Sequence, residues 1–110
     1  KTFNAKIKLD YEDGYPPLIN NKTQTDILMK VARKIVNQKG FSPYLTMGGE
    51  DFSYYLKKVP GCFFFLGSNP NKTKKNKTPH HCSHFDINEQ SLILGASIFV
   101  KLIEEQLIQG

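Results

Sequence analysis

Five consecutive apolar residues, Cys62-Phe63-Phe64-Phe65-Leu66, run between Pro60-Gly61 and Gly67-Ser68. Side chains on a strand alternate between faces, so an uninterrupted apolar run this short reads as a strand buried on both sides, inside a layered α/β sheet. Such a strand needs a neighbour on each edge and helices on each face. No other segment of the 110 residues is a strong candidate for the same sheet. Taken alone, the chain therefore reads as part of a larger fold.

A second pattern points to different surroundings. Phe3, Ala5, Ile7, Leu9 and Tyr11 alternate with Asn4, Lys6, Lys8 and Asp10, which predicts a strand with one wet face, as in an antiparallel sheet. Glu12-Asp13-Gly14-Tyr15-Pro16-Pro17 then breaks it and forms a stiff connector, suited to a crossing between domains. The two strands belong to two different sheets. The chain opens within the first pattern, Lys1-Thr2-Phe3-Asn4, without an initiator methionine or a leader, as expected of a piece excised from a longer protein.

Three helices are predicted. The first runs from about Thr25 to Asn37 with Leu28, Val31, Ala32 and Ile35 on one stripe and Gly40 as its stop. The second covers roughly Glu50 to Lys58, with Glu50 and Asp51 in its first turn and Lys57 and Lys58 in its last, as the helix dipole favours. The third opens with Asp86 as N-cap and Glu89 three residues on, and continues to about Ile108 with Leu92, Ala96, Phe99 and Ile103 inward. Ser68 to His84 has no periodicity; its Lys/Asn-rich middle is expected to be solvated, with the His-rich end anchored.

Charge narrows the partners. The net +5 rests on fourteen lysines and a single Arg33, and bidentate phosphate or base readout favours arginine, so no nucleic-acid partner is expected. No apolar run approaches the roughly 20 residues of a membrane span. Nothing marks the chain as secreted, so Cys62 and Cys82 are expected as reduced thiols in a cytoplasmic setting. The Asn-Lys-Thr triplets at Asn21, Asn71 and Asn76 match the glycosylation pattern, but the Lys/Asn-rich composition is the better explanation of them.

Two segments carry ligand chemistry. His80, His81, Cys82 and His84 lie within five positions, on a loop that follows the buried strand, where α/β proteins place their sites. Neighbours on an extended segment diverge, so the cluster reads as part of a metal site rather than a whole one; the alternative is an exposed polar loop. Met47-Gly48-Gly49-Glu50-Asp51-Phe52 places two glycines before a helix start, where backbone N–H groups suit an anion; a glycine turn with local capping explains the same residues.

Three segments together resemble a known family. They are Glu12 to Asn21, then MGGEDFSYYLKKVPGCFFFLGS from Met47 to Ser68, then HHCSHFDINEQSLILGA from His80 to Ala96. In order and spacing they resemble the C-terminal third of the metal-dependent amidohydrolases that include hippurate hydrolase, indoleacetyl-amino-acid hydrolase and bacterial aminoacylases. The resemblance implies a layered α/β/α catalytic domain with a mixed sheet, interrupted by an α+β lid that dimerises. Residues 1–14 then correspond to the last lid strand and residues 15–110 to the C-terminal part of the catalytic domain. By position, four residues before the aromatic of Phe85-Asp86, His81 is the family's last metal ligand, with His80 and His84 as neighbours. Cys82-Ser83 departs from the Ser-Pro or Asn-Pro pair usual there, which loosens the loop and sets a soft ligand beside the metal.

The same resemblance makes Gly48, Gly49 and Glu50 substrate-side residues. The family's Cys-x-His pair, Glu-Glu pair and further His are absent, so no catalytic residue is expected in these 110 residues. The implied activity of the parent is hydrolysis of the amide bond of N-acyl amino acids by water activated on two divalent ions, zinc or manganese, with the rest of the catalytic domain as partner. A second reading is a non-catalytic module whose Lys72, Lys74, Lys75 and Lys77 bind anionic polymers. A third is a small structural zinc domain.

Overall fold

Asn21 sets the start of the first helix. Its side-chain oxygen accepts from the backbone N–H of Gln24 at 3.2 Å, which relieves an unpaired donor and fixes α1 at Lys22–Ile35, one turn earlier than the apolar stripe alone predicts. The computed structural model describes residues 3–36, 41–70 and 79–108. Gly40, Asn71, Asn76 and Lys72, Lys74, Lys75 and Lys77 lie outside these residues. The other helices are α2, Phe52–Leu56, and α3, Gln90–Ile108.

The core sits where α1 crosses α3. Leu28 and Ala32 of α1 meet Ile98 of α3, all buried, and Phe64, Leu66 and Cys62 pack against them with Ile35, Val36, Phe41 and Leu102. Lys34 and Glu105 form an ion pair between the same two helices. The inward face of α1 is the one its periodicity predicts. That of α3 is not: Ser91, Ile98 and Leu102 turn inward, while Leu92, Ala96, Phe99 and Ile103 are exposed. Apolar residues surround α3 so widely that spacing does not choose a side.

The expected layered α/β arrangement with a mixed sheet is not what forms. Among the described residues there is no strand, and the structure is helical. The physical reason is the want of partners. Residues 3–14 stand exposed, with Phe3 89% and Ile7 88% accessible, and nothing covers the apolar side of the alternation. Residues 62–66 do reach the core, yet the backbone of Phe63 pairs with the side chain of Asn20 rather than with a neighbouring strand.

Much surface is left open. The accessible area is 10362 Å², against about 6,200 Å² for a compact monomer of this mass. The radius of gyration is 19.5 Å, where a compact chain of this length has about 13 Å. No helix among the described residues is long and apolar enough to cross a membrane.

Candidate functional site

The chemistry-bearing residues occupy two turns. The first precedes α3. His80, His81, Ser83 and His84 are exposed and Cys82 half-buried, and the Phe85 N–H donates to the Cys82 carbonyl at 3.1 Å, closing the turn. His81 takes a left-handed backbone, φ 61°, a region costly for most side chains though less so for histidine. The His80 ring rests against Phe85, centroids 5.0 Å apart, and 6.4 Å from that of His81. Ser83 Oγ and His84 Nδ1 lie 3.1 Å apart in a hydrogen bond. Asn88 N–H donates to the Ser68 carbonyl at 2.7 Å, which ties this turn to the end of the apolar run.

The expected cap of α3 shifts in this setting. Asp86 Oδ1 accepts from Ile87 N–H at 2.8 Å, whereas Asn88 Oδ1 accepts from Gln90 N–H at 3.0 Å, at the first residue of the helix. Asn88 rather than Asp86 meets the helix start.

The second turn precedes α2. Gly48 N–H donates to Thr46 Oγ1 at 3.1 Å, and the half-buried Glu50, two residues before the helix, accepts through Oε1 from the N–H of Phe52, its first residue, at 3.3 Å. Gly49 lies against one edge of the Tyr15 ring. The helix here has only five residues, with Glu50, Asp51, Lys57 and Lys58 flanking it, so the anion-binding dipole expected of a longer helix is weak. Among the described residues, no hydrogen bond or ion pair joins this turn to His80–His84.

A hydrolytic metal centre needs about three converging protein ligands. Among the described residues, no three His, Cys, Asp or Glu side chains converge to hold an ion. The residues present therefore do not fit a complete metal centre, and the small structural zinc domain finds no support in them. Cys62 and Cys82 are free thiols.

Spacing gave no sign of an open cleft of about 480 Å³ between the start of α1 and residues 56–61, lined by Asn21, Lys22, Lys57 and Lys58 among others. Lys22 is paired there with Asp26 at 2.6 Å. The cleft touches neither turn. Its only sequence signal is the lysine pair after α2.

Comparison with known proteins places these turns in a family. The family model described as Peptidase family M20/M25/M40 matches residues 5–105. A putative amidohydrolase, YhaA of Bacillus subtilis, is 37% identical over 98 residues, covering 86% of this chain and 24% of the relative. Thermostable carboxypeptidase 1 of Saccharolobus solfataricus is 44% identical over 85 residues, 77% of this chain and 21% of the relative. The IAA-amino acid hydrolase ILR1-like 4 of Arabidopsis thaliana is 30% identical over 112 residues, 96% of this chain and 24% of the relative. The chain thus spans about a quarter of the length of these relatives. No solved structure matches it. The match over residues 5–105 bears out the resemblance carried by the three motifs: the chain belongs to Peptidase family M20/M25/M40.

Proposed function

We propose that these residues are the C-terminal part of a metal-dependent amidohydrolase that cleaves the amide bond of N-acyl amino acids. The observation that carries this reading is the family match across residues 5–105, which takes in both turns. Relatives named amidohydrolase, carboxypeptidase and IAA-amino acid hydrolase favour an amide bond next to an amino acid as the target. Peptidases of this family are in general metal-dependent.

Within that enzyme His81 supplies one ligand to a zinc or manganese site, and Gly48, Gly49 and Glu50 line the substrate. Two observations support these roles. His81 is an exposed imidazole held in a backbone conformation that local structure alone disfavours, and such strain concentrates at functional sites. The second turn places a half-buried carboxylate close to Gly48, which is exposed and meets only Thr46 Oγ1, so a ligand can approach the backbone closely there. The remaining ligands and the general base come from outside these 110 residues, and the residues present hold no catalytic group.

Residues 1–14 belong to the lid through which the enzyme dimerises, and residues 15–110 to the catalytic domain. The exposed apolar side of residues 3–11 supports a partner for the first, and the large open surface around α3 supports one for the second. The free thiols suit a cytoplasmic setting.

The test compares the isolated chain with the full-length enzyme that contains it. The enzyme with zinc or manganese is expected to hydrolyse N-acetyl or N-benzoyl amino acids, and the 110 residues alone to show no turnover. Robust turnover by the isolated chain would overturn the reading.

A further inference from the structure

Gly48 and Gly49 are neighbours in sequence but glycine for different reasons. No glycine among the described residues has a positive φ, so neither is required by a left-handed backbone. Space separates them. A Cβ on Gly48 would meet only Thr46 Oγ1 at 3.5 Å, an ordinary contact, whereas one on Gly49 would stand 2.7 Å from Cδ2 of Tyr15, well inside van der Waals distance. One edge of the Tyr15 ring, at Cδ2, therefore takes up the space that a side chain on Gly49 would need.

Tyr15 is itself braced. Its ring meets Tyr54 of α2 edge to face, with centroids 5.9 Å apart at 79°. Pro16 and Pro17 follow, which fix their own φ and keep the backbone of Tyr15 out of the helical region. The Glu50 side chain closes the arrangement on the first residue of α2. A ring on a stiff connector thus holds the glycine turn against the helix.

We infer that Tyr15 is a positioning residue, setting the place of the Gly48-Gly49-Glu50 turn and with it the substrate wall of the site. This rests on reading that turn as the substrate wall. Its consequence is a coupling of the connector between residues 1–14 and the catalytic part to substrate binding. The ring makes the contact and the hydroxyl does not enter it, so phenylalanine suffices at this position.

The test uses the full-length enzyme with N-acetyl and N-benzoyl amino acids. Tyr15→Ala and Gly49→Ala are each expected to raise KM about tenfold with a smaller change in kcat, since a displaced wall weakens contacts that the bound substrate and the transition state share. Tyr15→Phe restores wild-type KM. The double variant Tyr15→Ala with Gly49→Ala is expected to be no worse than Tyr15→Ala alone, because removing the ring makes room for the new methyl.

Multiplicative effects in the double variant, or a Tyr15→Ala enzyme equal to wild type, would overturn the inference. If the wild-type enzyme hydrolyses no N-acyl amino acid, the functional reading fails separately, and amide hydrogen exchange over residues 46–52 decides. Faster exchange in Tyr15→Ala but not in Tyr15→Phe supports the positioning role, and unchanged exchange removes it.

Discussion

The side chain of Asn20 holds both backbone groups of Phe63: its Nδ2 donates to the Phe63 carbonyl at 2.7 Å, and the Phe63 N–H donates to its Oδ1 at 2.8 Å. The next residue, Asn21, donates its N–H to the Gly61 carbonyl at 2.9 Å while its side chain caps α1. Two asparagines thus lock the connector to the apolar run and to the first helix.

Asn20→Ala leaves both half-buried groups of Phe63 unpaired, a loss expected to cost about 1–3 kcal/mol. Urea unfolding should show it as a lower midpoint at constant slope. Asn20→Asp keeps the acceptor but sets a carboxylate against the Phe63 carbonyl, so it should recover little. A midpoint unchanged by Asn20→Ala would show that the pairing does not hold the connector.

Stability should also fall in acid through Glu105. The Lys34 ammonium, hydrogen-bonded to it, holds the Glu105 carboxyl below its ordinary value of 4.5. A carboxyl lowered in the folded chain stabilises it above the unfolded value, and the contribution is lost as pH falls from about 4.5 through the folded value. Glu105→Gln is expected to flatten that part of the stability profile. Lys34→Met should flatten most of it, leaving the smaller pull of Lys101 and Lys30, and a profile unchanged by both variants would show that the pair does not stabilise the fold.

Gly95 offers the opposite sign. It lies inside α3, where glycine is less favourable than alanine by about 1 kcal/mol, and a Cβ there would meet only the end of the Leu66 side chain at 3.3 Å. That end can give by a few tenths of an ångström. Gly95→Ala should therefore raise the unfolding midpoint, and Gly95→Phe should lower it by overpacking the join between α3 and the apolar run.

The sequence disclosed some of this and concealed the rest for identifiable reasons. The stripe of Leu28, Val31, Ala32 and Ile35 was legible because polar residues flank it, so its period points one way. In α3 the apolar residues lie on every side, and periodicity chose Leu92, Phe99 and Ile103 where packing chose Ile98 and Leu102. The alternation of residues 3–11 and the run 62–66 predicted strands. A strand exists only with a partner, and the Asn20 side chain answers Phe63 instead. Motifs single out His81 and Gly49 as candidates, but Tyr15 against Gly49 is a contact between distant segments that no local pattern announces.

The role of His81 is tested most directly by metal content and hydrolysis in full-length enzyme carrying His81→Ala, beside His84→Ala as a control from the same turn. His81→Ala is expected to lose bound zinc or manganese together with amide hydrolysis, while His84→Ala, whose Nδ1 hydrogen-bonds Ser83, keeps its metal. Full metal occupancy and undiminished hydrolysis in His81→Ala would contradict that role.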